Sequence, residues 1–377
     1  MSILGPAVAD SDSRSPQLPP NLPVRRILLI RLSHLGDVLH ALPVFHGLRR
    51  TYPEARIAWA VQAEYAAMLQ PLPGLSAVLP FARRDGWRAW WKLRGQLKEF
   101  QPQWTVDAQG NWKSAGVAFL SKAKRRTGFA AQDMRESAAA WVANDPAPPW
   151  NQAAGQHAID RNLHLAAYVC DTDRAGLRSL LPRDWLQLKA VERTTGRKHW
   201  RERMGPNPKR PVILQLAAEG DVRAWPIEHQ RRLLHELDAQ RRDVLVLSGP
   251  GETELGKQFA REFESHVHLH HWVGQNSLRE LAGAFRAAGD AGASLISCDS
   301  GPMHMGTLCG LRVIALAGPQ DAARTGPWPV PGADSPHLAL RNAQPLACAP
   351  CLSRKCSQTG GPVCMEQLAP EQVLQVL

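Results

Sequence analysis

Residues 27–43, ILLIRLSHLGDVLHALP, constrain the fold more than any other stretch of the chain. The apolar run at the start is typical of a buried parallel strand, and apolar residues return at helical spacing from Val38 onwards. Between them lies a polar turn that contains Ser33, Gly36 and Asp37. A strand that runs through such a turn into a helix is the unit of a doubly wound α/β sheet, whose ligands bind at the carboxyl ends of the strands.

Asp37 has two interpretations in this turn. At the mouth of the crevice, burial could tune its carboxylate for proton abstraction. Alternatively, Asp37 only caps the helix that follows. Pro43 also has two interpretations, because it either opens that helix or kinks it.

The same alternation of apolar runs, polar turns and helical patterns continues along the chain. It predicts strands in two blocks, at 26–30, 56–61, 77–81 and 104–108 and then at 211–216, 243–248, 294–298 and 311–316. Alternating strands and helices predict mostly parallel sheets with helices on both faces. Because 377 residues exceed what one core usually serves, we expect two domains.

The expected domain boundaries follow changes in composition. Residues 1–23 are proline-rich and lack the basic start and apolar middle of a secretion signal, so we expect a disordered leader. An N-terminal Rossmann-like domain at 24–172 and a helical linker at 173–209 come next. A C-terminal Rossmann-like domain at 210–345 and a cysteine-containing tail at 346–377 complete the chain.

The net charge of +11 favours an anionic partner, which could be a nucleic acid, a phosphorylated small molecule or an acidic membrane surface. No zinc-finger or RRM signature supports nucleic-acid binding, and no window approaches the roughly 18 apolar residues of a membrane span. Seven cysteines, an odd and scattered set, argue against a secreted disulfide framework. We therefore expect a cytoplasmic enzyme.

Residues 83–98 form a helical pattern that is both basic and aromatic. Arg84, Arg88 and Lys92 fall on one face, and Trp87 and Trp91 fall on another. Such a helix could rest on a membrane surface or bind an anionic headgroup. The alternative is a solvated basic face above core tryptophans.

A second loop at the carboxyl edge of the first sheet is predicted within WTVDAQGNWKS, residues 104–114, where a strand again runs into a glycine turn. Gln109 and Lys113 lie beyond that strand. Because parallel strands end at one edge of a sheet, we expect both residues to lie near the Asp37 turn.

Three loops of the second domain together describe a nucleotide diphosphate site. Asp299, Ser300 and Gly301 precede Pro302, where a helix can begin, and a helix amino terminus beside a hydroxyl suits a diphosphate. Arg223 adds a cation, and Glu252 could accept the hydroxyls of a ribose.

Each of these residues also has an ordinary structural interpretation: a plain turn at 299–301, a solvated cation at Arg223 and a helix-dipole charge at Glu252. His304, on the predicted helix, would ordinarily be a packed residue. No complete Walker motif or G-x-G-x-x-G turn is present, which argues against a P-loop NTPase and a standard dehydrogenase.

The tail carries four cysteines in a C-x2-C-x4-C-x7-C pattern: Cys348, Cys351, Cys356 and Cys364. This spacing could close a structural zinc site. The interpretation we favour is a loop and short helix that pack on the body, with no metal. The other three, Cys170, Cys298 and Cys309, read as small buried apolar residues.

Several segments, in order, resemble the ADP-heptose:lipopolysaccharide heptosyltransferases of glycosyltransferase family 9. They are RLSHLGDVLHALP, DAQGNWKSA, GQHAIDRN, RAWP, SGPGE, CDSGPMHMGTLCG and the tail ending CMEQLAPEQV. DAQGNWKSA and GQHAIDRN are most similar to the type I members, which add the first heptose to Kdo. The resemblance implies a GT-B fold, a metal-independent inverting reaction, ADP-heptose as donor, and a Kdo–lipid A acceptor at the cytoplasmic leaflet of the inner membrane.

The resemblance also implies roles for single residues. Asp37 matches the general base, and Arg223 stands where the family commonly has Lys, which keeps the charge but changes the hydrogen-bond geometry. Glu252 matches loosely, since Glu254 is an alternative. The donor-binding set is Ser33, Gly36, Glu252, Asp299, Ser300, Gly301 and His304, and the acceptor-binding set is Arg84, Arg88, Lys92, Gln109 and Lys113. Alternative functions are another heptosyl transfer step of the family, or a sugar-nucleotide epimerase or transferase with a different donor.

Overall fold

The computed structural model describes residues 24–151, 156–217, 220–274, 277–342, 344 and 346–377. The leader expected at 1–23 and Gly155, the first residue of GQHAIDRN, lie outside these residues. The described chain contains two six-stranded sheets, and every strand pair in them is parallel. Helices cover both sheets, so the predicted α/β fold of two Rossmann-like units is confirmed.

The first sheet has the order β3-β2-β1-β4-β5-β6, with β1 at its centre. Its strands are β1 (Arg26–Ile30), β2 (Arg56–Gln62), β3 (Leu75–Phe81), β4 (Trp104–Asp107), β5 (Arg125–Gly128) and β6 (Asp145–Pro146). Its helices are α1 (Leu35–His40), α2 (Leu42–Thr51), α3 (Ala66–Leu69), α4 (Trp87–Phe100), α5 (Trp112–Leu120), α6 (Ala158–Val169) and α7 (Arg174–Leu180).

The second sheet has the order β12-β11-β10-β7-β8-β9. Its strands are β7 (Val212–Gln215), β8 (Val244–Leu247), β9 (Leu269–Trp272), β10 (Ser294–Cys298), β11 (Arg312–Leu316) and β12 (Leu338–Leu340). Its helices are α8 (Ala190–Met204), α9 (Ile227–Ala239), α10 (Thr253–Glu262), α11 (Leu278–Asp290), α12 (Gly301–Leu308), α13 (Ala322–Thr325), α14 (Val363–Glu366) and α15 (Pro370–Leu374).

The side chains of β1 alternate between two apolar layers. Ile27 and Leu29 face the helices α2 and α6, whereas Leu28 and Ile30 face α4 and α5. All four are fully buried, as expected for a central strand covered on both faces. Pro43 lies in the first turn of α2, directly after α1 has ended, so it opens a second helix.

One apolar cluster runs without interruption from a face of the first sheet to a face of the second. It includes Leu29 of β1, Leu35 of α1, Met303 of α12 and Leu295 of β10. The carboxyl ends of the two central strands therefore lie close together. Within the described residues, no helix combines the length and apolarity needed to cross a bilayer.

Candidate functional site

Asp37 occupies the third position of α1, at the carboxyl edge of the first sheet. Its Oδ2 accepts a hydrogen bond from the His34 N–H at 3.1 Å, which is the capping geometry. Its Oδ1 lies 2.6 Å from a guanidinium nitrogen of Arg31, the residue after β1. The capping interpretation is therefore correct, but it describes only one of the two carboxylate oxygens.

The charge state of Asp37 is set by opposing effects. Burial would raise the pKa of this carboxyl, but the Arg31 guanidinium and the His34 N–H outweigh it and lower the pKa below its ordinary value. The side chain is still 38% exposed, whereas that of Arg31 is 8% exposed. The result is an ionised carboxylate that contacts a buried cation and remains partly exposed to solvent.

The loop that follows β4 is hydrogen-bonded directly to the residues that follow β1. Arg31 donates to the Ala108 carbonyl, and the Gln109 Oε1 accepts the Leu32 N–H at 2.6 Å. Asp107 Oδ1 accepts the N–H groups of Gln109 and of the following glycine, which shapes the turn. Burial raises the pKa of Asp107, although hydrogen bonds to its oxygens partly offset this effect. Gln109 thus holds the two loops in register through its side-chain oxygen.

The turn before α12 faces this site from the second domain. Ser300 caps the helix, because its Oγ accepts the Met303 N–H at 3.3 Å. The same hydroxyl donates to Gln215 Oε1 at 2.7 Å, and Pro302 carries no N–H group. The helix terminus therefore presents fewer free N–H groups than the sequence predicts.

Arg223 is held beside this turn by two carboxylates. Its guanidinium pairs with Asp221 at 2.6 Å and lies 3.7 Å from Asp299 Oδ2. It also donates to the Asp299 carbonyl at 3.1 Å. The hydrogen bonds that Arg223 donates to Asp221 raise the pKa of Arg223, and 40% of the Arg223 side chain is exposed. A fixed and partly exposed cation thus lies against Asp299, the first residue of the turn.

Three buried imidazoles connect the two domains behind the site. His304 Nδ1 lies 3.1 Å from His40 Nε2, and His304 Nε2 lies 3.4 Å from Asp299 Oδ1. The His40 ring also meets that of His157, whose Nε2 is 3.0 Å from the Gly326 carbonyl. One neutral assignment satisfies both contacts of His304: His40 Nε2–H donates to it, and it donates to Asp299.

Burial is the main cause that lowers the pKa of two of these histidines, His40 and His157. It holds the pKa of His40 well below 6.5 and lowers that of His157 to about 4. Sequence analysis did not select either residue. Their signal was available only as histidines within GDVLHALP and GQHAIDRN, the segments that carry the family resemblance.

The two predicted turns meet through reciprocal contacts at two glycines. A Cβ placed on Gly36 would overlap the His304 ring, and one placed on Gly301 would lie 2.7 Å from Leu35 Cδ2. Each glycine therefore admits a side chain from the opposite domain. This packing brings α1, which carries Asp37, against the amino-terminal turn of α12.

Glu252 and Glu254 differ in where they point. Glu252 ends a short 3-10 turn, and its Oε2 folds back to within 2.9 Å of where a Cβ of Gly249 would lie. Glu254 is 84% exposed and pairs with Lys257 at 2.8 Å on the outer surface of α10. Of the two, Glu252 is the less exposed, and it lies in the turn that directly follows β8.

The predicted acceptor-binding cations Arg84, Arg88, Lys92 and Lys113 are all exposed. The interpretation that Trp87 and Trp91 belong to the core is wrong, because they are 67% and 63% exposed. Trp90 packs inward instead, with its ring 5.0 Å from that of Phe81.

Arg31 and Arg161 lie beside Asp37, and the sequence reasoning gave a role to neither of them. Arg161 stacks on the Phe129 ring at 4.1 Å, and burial together with Arg31 lowers its pKa to about 10. Its buried Nε has no hydrogen-bond partner within the described chain. Arg161 lies in the GQHAIDRN segment, which could have indicated it.

Cysteine burial agrees with part of the sequence analysis. Cys170, Cys298 and Cys309 are buried, as expected, and so is Cys364. The other three tail cysteines are exposed. Over the described ranges, no group of three or more His, Cys, Asp or Glu side chains is arranged to hold a metal ion.

Known proteins resemble this chain in sequence and in structure. Lipopolysaccharide heptosyltransferase 1 of Pseudomonas aeruginosa is 25% identical over 372 residues, which cover 92% of this chain and 96% of the relative. The structure of the Escherichia coli heptosyltransferase WaaC with ADP-2-deoxy-2-fluoro heptose matches with a TM-score of 0.64 and 22% identity, and covers 93% of this chain and 98% of that one.

A family 9 glycosyl transferase from Veillonella parvula matches with a TM-score of 0.72 and 17% identity, and covers 94% of this chain and 96% of that one. At such identities the likeness establishes the fold, which is GT-B. The family model described as glycosyltransferase family 9 (heptosyltransferase) matches residues 90–360, well over half of the chain. The protein is therefore a glycosyltransferase, and it belongs to glycosyltransferase family 9.

Proposed function

We propose that this enzyme transfers heptose from ADP-heptose to the Kdo of the lipopolysaccharide inner core, as type I heptosyltransferases do. One observation carries the proposal: the packing of Gly36 on His304 brings the Asp37 turn against the Asp299 turn across the domain boundary. A proton acceptor and a diphosphate site on opposite domains suit a single inverting displacement. The relative from Pseudomonas aeruginosa and the donor analogue in WaaC support the choice of substrates.

Asp37 is the proposed general base. It accepts the proton of the acceptor hydroxyl while that oxygen attacks the anomeric carbon and the bond to the diphosphate breaks on the opposite face. A positioned base typically contributes a factor of about 10² to 10⁴. Because Arg31 keeps the carboxylate ionised and oriented, the base is ready at neutral pH.

The departing ADP gains negative charge, which Arg223 is placed to stabilise. A fixed cation aimed at developing charge lowers the barrier without reorganising in the transition state. Asp221 holds the guanidinium through its Nε and Nη2 atoms at 2.9 and 2.6 Å, so Nη1 is the nitrogen directed toward the Asp299 turn. Glu252 is the proposed partner of the ribose hydroxyls.

The proposed acceptor is Kdo–lipid A at the cytoplasmic leaflet of the inner membrane. Its phosphates and carboxylates would bind the exposed cations Arg84, Arg88, Lys92 and Lys113, with Gln109 at the rim beside Asp37. We place the enzyme in the cytoplasm, peripheral to that membrane, because this acceptor lies in it.

A transfer assay tests the proposal. Purified full-length protein with ADP-heptose and Kdo–lipid A should add one heptose to the acceptor, detected by mass spectrometry, and should do so in the presence of EDTA. The new glycosidic bond should have the opposite anomeric configuration to the donor. A product that forms only on an already heptosylated acceptor would assign a later step of the family instead.

An epimerase, or a transferase with another nucleotide sugar, is the alternative function. Incubation with ADP-heptose and with UDP-sugars, without an acceptor, separates these activities. A change in sugar configuration without transfer would favour the epimerase. No turnover of ADP-heptose under any of these conditions would contradict the proposal.

A further inference from the structure

The outer side of the first domain carries an unusual group of exposed aromatic rings. Within the described residues, every exposed Trp or Phe side chain belongs to this group. We call it the aromatic surface, and its members are Trp87, Trp91, Trp112, Phe119 and Trp141, which are 52–67% exposed. Scattered exposed apolar residues are ordinary, but large rings collected on one side mark an interaction surface.

The helices that carry the aromatic surface lie side by side. α4 and α5 both pack on the same face of the first sheet, since their buried residues share one apolar cluster. They are neighbours, because a Cβ on Gly116 of α5 would lie 3.1 Å from the Trp90 ring of α4. Phe119 then meets Trp141 with ring centroids 5.9 Å apart.

Positive charge is interleaved with these rings. Residues 83–98 contain six basic side chains and one acidic one, and residues 112–124 contain three basic ones and no acidic one. The guanidinium of Arg88 lies 5.8 Å from the Trp87 ring, and that of Arg94 lies 5.7 Å from the Trp91 ring. Tryptophan beside Arg and Lys is the composition that settles at the boundary between headgroups and acyl chains.

The aromatic surface also borders the candidate active site. α4 follows β3 and α5 follows β4, so both helices begin at the carboxyl edge of the sheet. Asp37 lies at this same edge. A planar anionic surface in contact with Trp87, Trp91 and Trp112 would therefore lie beside the crevice from which Asp37 is reached.

From these observations we infer that the aromatic surface docks the enzyme on an anionic lipid bilayer. The inference rests on the proposed function and deepens it, because it assigns the membrane contact to named residues. The rings enter the interface while Arg94, Lys98, Lys122 and Lys124 pair with acidic headgroups. A surface that bound a second copy of this basic chain would bring like charges together.

Vesicle flotation tests the inference without using activity. The full chain should float with vesicles of phosphatidylglycerol and phosphatidylethanolamine, and bind neutral phosphatidylcholine vesicles at least tenfold more weakly. We expect Trp87→Ala with Trp91→Ala, and separately Arg94→Gln with Lys98→Gln, to weaken binding to the acidic vesicles at least tenfold. The matched control is Val191→Ala with Val267→Ala, which removes exposed apolar groups elsewhere and should leave binding unchanged.

Two further measurements separate the outcomes. All variants should keep the melting temperature of the parent protein, because the changed side chains are exposed. The aromatic variant should also keep transfer to a water-soluble deacylated acceptor while losing transfer to the vesicle-embedded one. Binding without any transfer would contradict the proposed function alone. Two outcomes would overturn the docking inference. One is equal vesicle binding by the parent protein and the aromatic variant. The other is a parent protein that self-associates but does not bind vesicles, with the self-association lost in the aromatic variant.

Discussion

Asp37 shows how one residue combines a structural and a chemical role. One oxygen closes the first turn of α1 through the His34 N–H, and the other pairs with Arg31. The contacts with Arg31 and the His34 N–H lower the basicity of the Asp37 carboxylate, but they also fix the orientation of its side chain. Proton transfer is then favoured only once the acceptor oxygen has begun to attack and its hydroxyl has become acidic.

Replacement of Asp37 by Asn separates these roles. The amide oxygen can still accept one of the two hydrogen bonds, so we expect the variant to fold with a stability loss of about 1–2 kcal/mol. Transfer should fall at least about 10²-fold because no proton acceptor remains. Calorimetric binding of ADP should stay close to the parent value. Turnover equal to that of the parent would remove Asp37 from the mechanism.

Glu252 and Glu254 allow a controlled test of donor binding, with Glu252 as the proposed ribose partner and Glu254 as the control. We expect Glu252→Gln to weaken ADP-heptose binding about tenfold, since hydrogen bonds to a charged group contribute about 1.5–3 kcal/mol. Glu254→Gln should change binding less than twofold, because this side chain faces solvent beside Lys257. Isothermal titration of both variants checks the prediction, and the reverse order of effects would shift the assignment to Glu254.

His46 makes the stability of the fold depend on pH. It is buried with Nε2 2.7 Å from the Trp185 carbonyl, and burial lowers its pKa to about 4 although that carbonyl opposes the change. Between about pH 4 and 6.5, the unfolded chain binds a proton that the folded chain excludes. The stabilisation from the neutral imidazole is complete above pH 6.5 and is lost as the pH falls towards 4.

We therefore expect the free energy of unfolding to fall as the pH is lowered through this window, by up to about 1.4 kcal/mol per pH unit for each such histidine. His46→Gln keeps a donor for the Trp185 carbonyl but cannot titrate, so its slope should be smaller by up to that amount. Urea denaturation at several pH values measures both slopes. Equal slopes would show that His46 does not contribute.

At the scale of elements, sequence patterns predicted the apolar strands, which include every central strand and also β3 at the edge of its sheet. The predictions at 26–30 and 294–298 coincide with β1 and β10, which lie in the middle of their sheets. The strands that were missed are β5, β6, β9 and β12, which lie at or next to the sheet edges. Sequences such as RRTG and LHHW are short and partly polar, so pairing with a neighbour decides their conformation rather than burial.

The pair α8 and α11 depends on a close approach of two backbones. A Cβ on Gly196 would overlap the backbone of Gly283, so a side chain here must force the helices apart. We expect Gly196→Ala to lower the free energy of unfolding by about 1–3 kcal/mol, as overpacking does. Gly95→Ala in α4 is the control, because no atom lies within 4 Å of the added group, and it should stabilise by about 0.5–1 kcal/mol. Urea denaturation compares the two, and equal effects would contradict the packing argument.

At the scale of the whole molecule, the two Rossmann-like units follow from the repeated alternation of strands and helices. The packing of one unit against the other does not follow from this alternation, because it depends on contacts between residues far apart in sequence. His40 and His304 are 264 positions apart, and neither residue type nor spacing pairs them. For the same reason Asp37, Arg223 and Asp299 were found as separate candidates, whereas the support that Arg31, Asp221 and His40 give them emerged only from the fold.

The contact of Gly36 with His304 predicts how far transfer depends on the fit between domains. In Gly36→Ala the new methyl group would overlap the imidazole, so either α1 moves away from α12 or His304 leaves Asp299. Each domain keeps its own sheet and core, and we expect both to stay folded. Transfer should fall at least about 10²-fold, because misplacing reacting groups by about 1 Å has effects of this size.

Binding of ADP should fall much less than transfer in this variant, since Arg223 and the Asp299 turn belong to the second domain alone. Transfer kinetics, ADP titration and the radius of gyration from X-ray scattering test the three parts of this prediction together. Gly95→Ala is again the matched control, and it should change none of them. Full transfer by Gly36→Ala would mean that the two turns need not touch for catalysis, and that the enzyme works from a more open arrangement of its domains.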